Sequence, residues 1–244
     1  AYPNEIQIVG QTGEAGTNFN AANYDLTYVD GDLVVNRRPV ALTALQQERI
    51  YGDPMVLDDT AFAVLDLDGD SELPNGEVID TVSLESAAGV DSDTTAGAGF
   101  YSGNLQIVGQ TGEAGTNFNA ANYDLTYVAG DLVVNQRAVT LTALQQDRIY
   151  GNELLLDDTA FTILDLDSDN SLPNGEVIDT VALNSVNGVD VATTSNVGTY
   201  TDEIQIVGQT GEAGTNFNAA NYDLTYVAGD LVVNQRAVTL TASQ

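Results

Sequence analysis

The sequence has no cysteine, histidine, lysine or tryptophan, one methionine, and five prolines in 244 residues. Without cysteine there is no disulfide, so the fold has to rest on packing or on bound ions. Without histidine, cysteine or lysine there is no Ser–His or Cys–His nucleophile, no P-loop lysine, no Schiff base and no imidazole or thiolate zinc site. Lysine–asparagine isopeptide cross-links are excluded as well. Carboxylates are what remains for catalysis. A glycosidase or aspartic-protease pair can be built from Asp and Glu alone, yet no DTG-like signature occurs, and most acids lie in polar, turn-rich stretches where ordinary pKa values are expected. The expectation is therefore not an enzyme, with no catalytic residue assigned and no cofactor required for chemistry. The basic residues are six arginines against 36 acids, a formal net charge of −30. Such a polyanion repels nucleic acid and anionic lipid, so neither is expected as a partner. No signal peptide, lipidation motif or long apolar run is visible in these residues, and direct membrane insertion by this stretch is not expected.

What is present is a repeat. Tyr24, Tyr123 and Tyr222 each open the string YDLTYV, and 123 − 24 = 222 − 123 = 99 gives the period. Tyr51 and Tyr150, Pro74 and Pro173, and Tyr101 and Tyr200 keep that spacing. The stretch from QIVGQTGEAG to VVN is almost letter-identical between copies, while 53 to 100 and 152 to 199 have drifted apart. The reading is an incomplete unit at 1–36, complete units at 37–135 and 136–234, and the opening strand of a further unit at 235–244. Residues 37–135 carry 16 acids and three arginines, and 136–234 carry 15 acids and two arginines, so each unit is near −13. With 43% hydrophobic residues in regularly spaced runs, disorder is not the expectation, and 99 residues suffice for a core.

Strand-like runs follow one another: VTLTAL at 139–144, TAFTILDL at 159–166, EVIDTVAL at 176–183, TYTDEIQIVG at 199–208, NYDLTYV at 122–128 and DLVVN at 131–135. Gly, Asn, Asp, Ser and Pro clusters separate them, and no sustained 3.6-residue apolar period appears. The fold class is thus all-β, with six or seven strands per unit as in a β-sandwich. Asp30-Gly31, between YDLTYV and DLVVN, reads as a two-residue hairpin turn. At Ala129-Gly130 and Ala228-Gly229 the alanine strains a type I′ turn, so a different turn or a bulge is expected there. Only Asn135, Gln136 and Arg137 separate one unit's last strand from the next unit's first. A join that short predicts units stacked end to end as an elongated rod, with neighbouring repeats as each other's partners.

Smaller features read as packing. Tyr24 and Tyr28, with their copies, share a strand face and are expected in or near the core, with a hydroxyl bonded to backbone, in preference to forming a sugar platform. Asn18, Phe19 and Asn20, with copies at 117–119 and 216–218, read as a turn with one buried anchor. Gly10, Gly13 and Gly16 lack a following Lys-Ser or Lys-Thr and read as a loop. Residues 1–36 lack the strands that 37–98 supply in the next copy, so their sheet edge and apolar face are expected to be incompletely covered.

The ordered motifs RxVTLTA, IYG (Ile50-Tyr51-Gly52 and Ile149-Tyr150-Gly151), LPNGE, VGTY (Val197 to Tyr200), NYDLTYV and GDLVV resemble the MBG and YDG repeats. Those are immunoglobulin-like modules strung in long arrays in very large bacterial adhesins and filamentous haemagglutinin-like proteins. The chain departs from the pattern at Phe100-Tyr101, in place of GTY, and in the acidic insert DLDGDSE before Leu73. The resemblance implies tandem immunoglobulin-like sandwiches at the surface of a bacterium. They would serve as a stalk that projects a distal binding region toward a glycan or a host or biofilm surface. The other reading is that the repeats themselves bind a glycan, a matrix protein or another copy of the adhesin.

One pattern points to a ligand. Asp66, Asp68, Asp70 and Glu77 fall at positions 1, 3, 5 and 12 of an EF-hand-like loop, and Asp165, Asp167, Asp169 and Glu176 repeat the spacing. Calcium takes six to eight hard oxygen ligands, and closely spaced carboxylates on a turn supply them. Against it, position 6 is Ser71 or Asn170 in place of Gly, and the flanking runs read as strands. The other account is an acidic, solvated connection ending in a Pro-Asn-Gly turn.

Overall fold

A computed structural model describes residues 1–12 and 17–242. Gly13 and Gly16 of the glycine-containing loop, and the last two residues of 235–244, lie outside the described residues. The chain is all-β. Its strands are β1 Tyr2–Ile6, β2 Gly31–Leu33, β3 Arg38–Ala44, β4 Gln47–Ile50, β5 Phe62–Asp66, β6 Ile79–Ser86, β7 Gly99–Gly112 and β8 Tyr123–Val128. They continue as β9 Gly130–Asn135, β10 Arg137–Ala143, β11 Gln146–Ile149, β12 Phe161–Asp165, β13 Ile178–Ser185, β14 Gly198–Gly211, β15 Tyr222–Val227 and β16 Gly229–Asn234. Two compact units result, one of Ala1–Leu42, Val64–Ile79 and Gly112–Thr126, the other of Thr43–Ala63, Asp80–Thr111 and Tyr127–Gln244.

In the first unit β1 pairs antiparallel with β2, and all five residues of β1 are exposed. Tyr24 is 59% exposed where its copies Tyr123 and Tyr222 are buried. A three-stranded sheet runs β5-β3-β8, with Val40 and Leu42 of β3 buried.

The second unit holds the sheet β4-β9-β7-β6 and a complete pair of sheets, β12-β10-β15 and β11-β16-β14-β13. In that pair β10 and β15 lie against β14 and β16, a β-sandwich arrangement. Alternation puts Val139, Leu141 and Ala143 of β10 inward, facing Ile204 and Ile206 of β14 and Leu231 and Val233 of β16 in the core. Burying each such Leu or Ile contributes about 2 kcal/mol.

The expected hairpin at the YDLTYV–DLVVN junction is not formed. β15 pairs in parallel with β10 in one sheet, and β16 pairs with β11 and β14 in the other, so the chain crosses between sheets at Ala228. Gly229 has no positive φ, and its role is clearance: a Cβ there would stand 2.4 Å from the Ala143 carbonyl oxygen. Gly130 stands in the same relation to Ala44. In the first copy residues 24–29 form no strand, and Gly31 opens β2 opposite Ile6 of β1. Residues 235–242 carry no strand.

Candidate functional site: a buried joint between repeats

β9 ends at Asn135 and β10 begins at Arg137, so a single residue, Gln136, separates the two repeats. Arg137 opens β10 on its inward-facing side and is 2% exposed. Its Nε donates to both oxygens of Asp165, each at 2.9 Å, and its Nη2 donates to Asp167. Those partners belong to the same repeat, at the end of β12. Its Nη1 turns the other way, to the Asp53 carboxylate at 2.8 Å and the Tyr51 carbonyl at 3.4 Å in the preceding repeat. Burial works against the guanidinium charge, and the bonds to Asp165 and Asp53 outweigh it, holding the pKa above its ordinary value.

Glu176 is the second buried charge of the joint, 5% exposed. It accepts a hydrogen bond from the hydroxyl of Tyr222, its own repeat's tyrosine, at 2.8 Å, and another from Tyr51 of the preceding repeat. The two rings meet edge to face with centroids 5.6 Å apart, and Phe217 stacks on Tyr222 at 5.5 Å. Burial, then the bond to Glu176, pushes the pKa of both Tyr51 and Tyr222 up.

Backbone shape closes the joint. Gly52 has φ +89°, and a Cβ there would lie 2.5 Å from Cβ of Pro173. The IYG turn of one repeat therefore packs on the Pro-Asn-Gly turn of the next, where Asn174 takes the left-handed conformation at φ 59°. Asn174 exchanges two hydrogen bonds with Thr94, at 2.8 and 3.0 Å, and buried Asn221 accepts from the Ala98 amide at 3.0 Å.

The first unit carries one half of the same arrangement. Arg38 Nε donates to Asp66 at 2.7 and 2.8 Å, and Nη2 donates to Asp68. The bond from Arg38 holds the Asp66 carboxyl below its usual range. Tyr123 donates to Glu77 at 2.9 Å, and burial followed by that bond pushes its pKa up to about 12.

The eight acids singled out for calcium are thus placed as follows. Asp66 and Asp68 share Arg38, and Asp165 and Asp167 share Arg137. Asp70 and Asp169 accept from the backbone amides of Glu72 and Ser171. Glu77 and Glu176 stand apart with tyrosines. The loops turn at position 4 of the EF-hand-like count, where Gly69 and Ser168 have positive φ, and not at position 6. Bonds from Asp66 N to Asp70 O and from Asp165 N to Asp169 O, both 2.8 Å, close them tightly. Among the described residues no three acidic side chains gather into a group that could hold a metal ion.

Arg137, Tyr51 and Asn221 went unremarked in the sequence as functional residues. A signal was available: they recur at the 99-residue spacing, as Arg38, Arg137 and Arg236, as Tyr51 and Tyr150, and as Asn23, Asn122 and Asn221. The tyrosines divide, with Tyr222 buried on its carboxylate and Tyr226 40% exposed and donating to Gln209, so neither hydroxyl bonds to backbone as expected. Comparison with protein-family models, with curated proteins and with solved structures found no match.

Proposed function

We propose that the chain is a structural spacer, the tandem immunoglobulin-like stalk of a large bacterial surface adhesin, which holds a distal binding region away from the cell. The observation that carries this is the composition of the joint. Arg137 and Glu176, both buried, are each completed by residues of the preceding repeat, Asp53 and Tyr51. A buried ion pair gains only when its geometry is good and its remaining hydrogen-bonding capacity is filled, so its partners fix one rotation between successive repeats. Repeats locked in this way would propagate as a stiff, elongated rod. The resemblance to MBG and YDG repeats supports the same reading, including an extracellular bacterial setting. Small-angle scattering is expected to give an elongated particle, and a glycan array with a bead-adhesion assay no saturable binding. A compact, near-spherical profile would overturn the rod.

The second reading, in which each repeat binds a ligand, has one observation in its favour. Val56 and Leu155, 99 residues apart, are each 94% exposed in apolar runs. Beside Leu155 a groove of about 380 Å³ is lined by Leu154, Leu156, Val181, Leu183 and Val191. Contiguous exposed apolar patches mark interaction surfaces in other proteins. Saturable binding that is lost when Val56 and Leu155 are both changed to Asp would favour this reading over the spacer.

A further inference from the structure

In the second repeat the first two strands of the module are hydrogen-bonded to the last two, and both pairings are parallel. β10 pairs with β15 over six residue pairs, from Arg137↔Tyr222 to Thr142↔Val227. β11 pairs with β16 over four, from Gln146↔Leu231 to Ile149↔Asn234. Each sheet of the sandwich therefore contains one such ladder. The first repeat has the same arrangement in β4 and β9, from Gln47↔Leu132 to Ile50↔Asn135.

Parallel pairing of first and last strands has a mechanical consequence. A pull along the chain draws β10 toward its own N-terminal end and β16 toward its C-terminal end. In a parallel ladder these ends lie at opposite ends of the pair, so the load runs along the strands and strains every bond together. In an antiparallel pair pulled apart at its open end, the bonds break one after another. The load also enters at a reinforced point. The residue after Gln136 is Arg137, held sideways to Asp165 at the end of β12 and across to Asp53 of the preceding repeat.

We infer that each repeat is a tension-bearing module, in which the parallel β10–β15 and β11–β16 ladders act as a shear clamp between the point where load enters and the point where it leaves. The inference rests on the spacer reading for the existence of a load, but the response to load is a property of the repeat itself.

The test is single-molecule force spectroscopy on the full chain, whose lack of cysteine lets two introduced thiols serve as unique handles. Gln136 and Gln235, both exposed, load the clamp when changed as Q136C and Q235C. Val177 and Glu212 flank the open end of the antiparallel β13–β14 pair, and V177C with E212C loads it in unzipping geometry. Exposed Asp179 and Thr210 give a second unzipping pair, D179C with T210C, should the first fail to fold. Equal denaturant midpoints for the doubly substituted chains confine the comparison to direction of loading. Rupture in the 136–235 geometry is expected as one cooperative event, at a force at least about twice that of unzipping, because forced unfolding reads the barrier along the direction pulled. Equal forces, or stepwise opening from 136 and 235, would overturn the clamp. Saturable ligand binding with the force difference intact would instead remove the spacer reading and leave the clamp standing.

Discussion

Three arginines stand at the same place in the repeat, and they carry different halves of one site. Among the described residues Arg38 has the carboxylates of its own repeat, Asp66 and Asp68, and its side chain is 28% exposed. Arg236 has the other half, the Tyr150 carbonyl at 3.3 Å and Asn152 at 3.2 Å, and is exposed. Arg137 has both halves and is 2% exposed. The glutamates agree: Glu77 accepts from Tyr123 and is half-buried, while Glu176 accepts from Tyr222 and Tyr51 and is buried. Neither half buries the charge alone. The buried charges of this repeat are therefore completed by residues of the repeat before it.

The strongest way to break this comparison is to remove the arginine at each place. Arg137→Ala leaves Asp165 buried with no cation, a change that costs about 3–5 kcal/mol. Arg236→Ala removes an exposed contact and should stay within about 0.5 kcal/mol. Urea unfolding followed by hydrogen exchange in residues 137–165 measures both. Equal losses at Arg137 and Arg236 would show that completing the site adds nothing.

A smaller effect comes from the tyrosines. Tyr222→Phe deletes a hydrogen bond to a buried carboxylate, worth about 1.5–3 kcal/mol, and Tyr150→Phe at the exposed end should be close to neutral. Alkaline pH sharpens the contrast. Tyr51 and Tyr222 have folded-state pKa values above the unfolded value of 10.0, burial being the first cause and the Glu176 bond the second. Their stabilisation is therefore complete below pH 10 and is lost as pH rises past it, because the unfolded chain releases protons that the folded one keeps. Stability of the parent should fall from pH 10 upward, and Tyr222→Phe should flatten that slope. A slope unchanged in both Tyr51→Phe and Tyr222→Phe would place the alkaline sensitivity elsewhere among the eleven tyrosines.

Much of this architecture could be read from residue order, and the misreadings have physical causes. Alternation in VTLTA and the 99-residue period announce strands and units because the side-chain period of a strand is two. The hairpin expected at Asp30-Gly31, with a different turn or a bulge at Ala129-Gly130 and Ala228-Gly229, misled because glycine serves two purposes. It can supply positive φ, or it can make room, as Gly229 does against the Ala143 carbonyl. Arg137 looked like a linker residue, since nothing local tells a solvent-exposed arginine from one whose partners lie 28 and 84 positions away. The acid spacing suits two partners: alternate carboxylates on a turn serve a hard cation as well as the guanidinium that Asp66, Asp68, Asp165 and Asp167 bond here.

A further contrast separates the two complete repeats at one position. Buried Glu203 accepts from the Asn187 amide at 2.8 Å, the Asn187 side chain at 2.7 Å and Ser185 at 2.5 Å, while its counterpart Asn104 bonds to Ser86 and the Ala87 carbonyl. Burial opposes the Glu203 charge, but these bonds outweigh it and hold its pKa below the ordinary 4.5. A depressed folded-state pKa gives stability that is present above pH 4.5 and lost as pH falls through the folded value. Hydrogen exchange should therefore show acid loosening of residues 185–190 ahead of 86–91. Glu203→Gln should abolish the difference in pH dependence, at some cost in stability at neutral pH. Matching acid profiles in the parent would remove Glu203 as the cause.

The smallest effect expected is that of calcium, and it sharpens the comparison at the Arg38 end. A cation at Asp66 and Asp68, or at Asp165 and Asp167, would have to draw those carboxylates away from an arginine already bonded to them. The gain from binding is then the difference between two electrostatic partners, and it should be small in the parent. Arg38→Ala removes the competitor where the site is already partly exposed. Melting curves in millimolar calcium against chelator, at constant high ionic strength to hold general screening fixed, should show a larger stabilisation in Arg38→Ala than in the parent. A ligand bound by the folded state alone stabilises by RT ln(1 + [L]/Kd), about 2.7 kcal/mol at a hundredfold excess over Kd, so even weak sites are readable. A large calcium shift in the parent, undiminished by the arginine, would mean that cation and guanidinium occupy different places. Identical curves with and without calcium in both proteins, and no heat of binding, would leave the acidic loops as arginine receptors and solubilising charge.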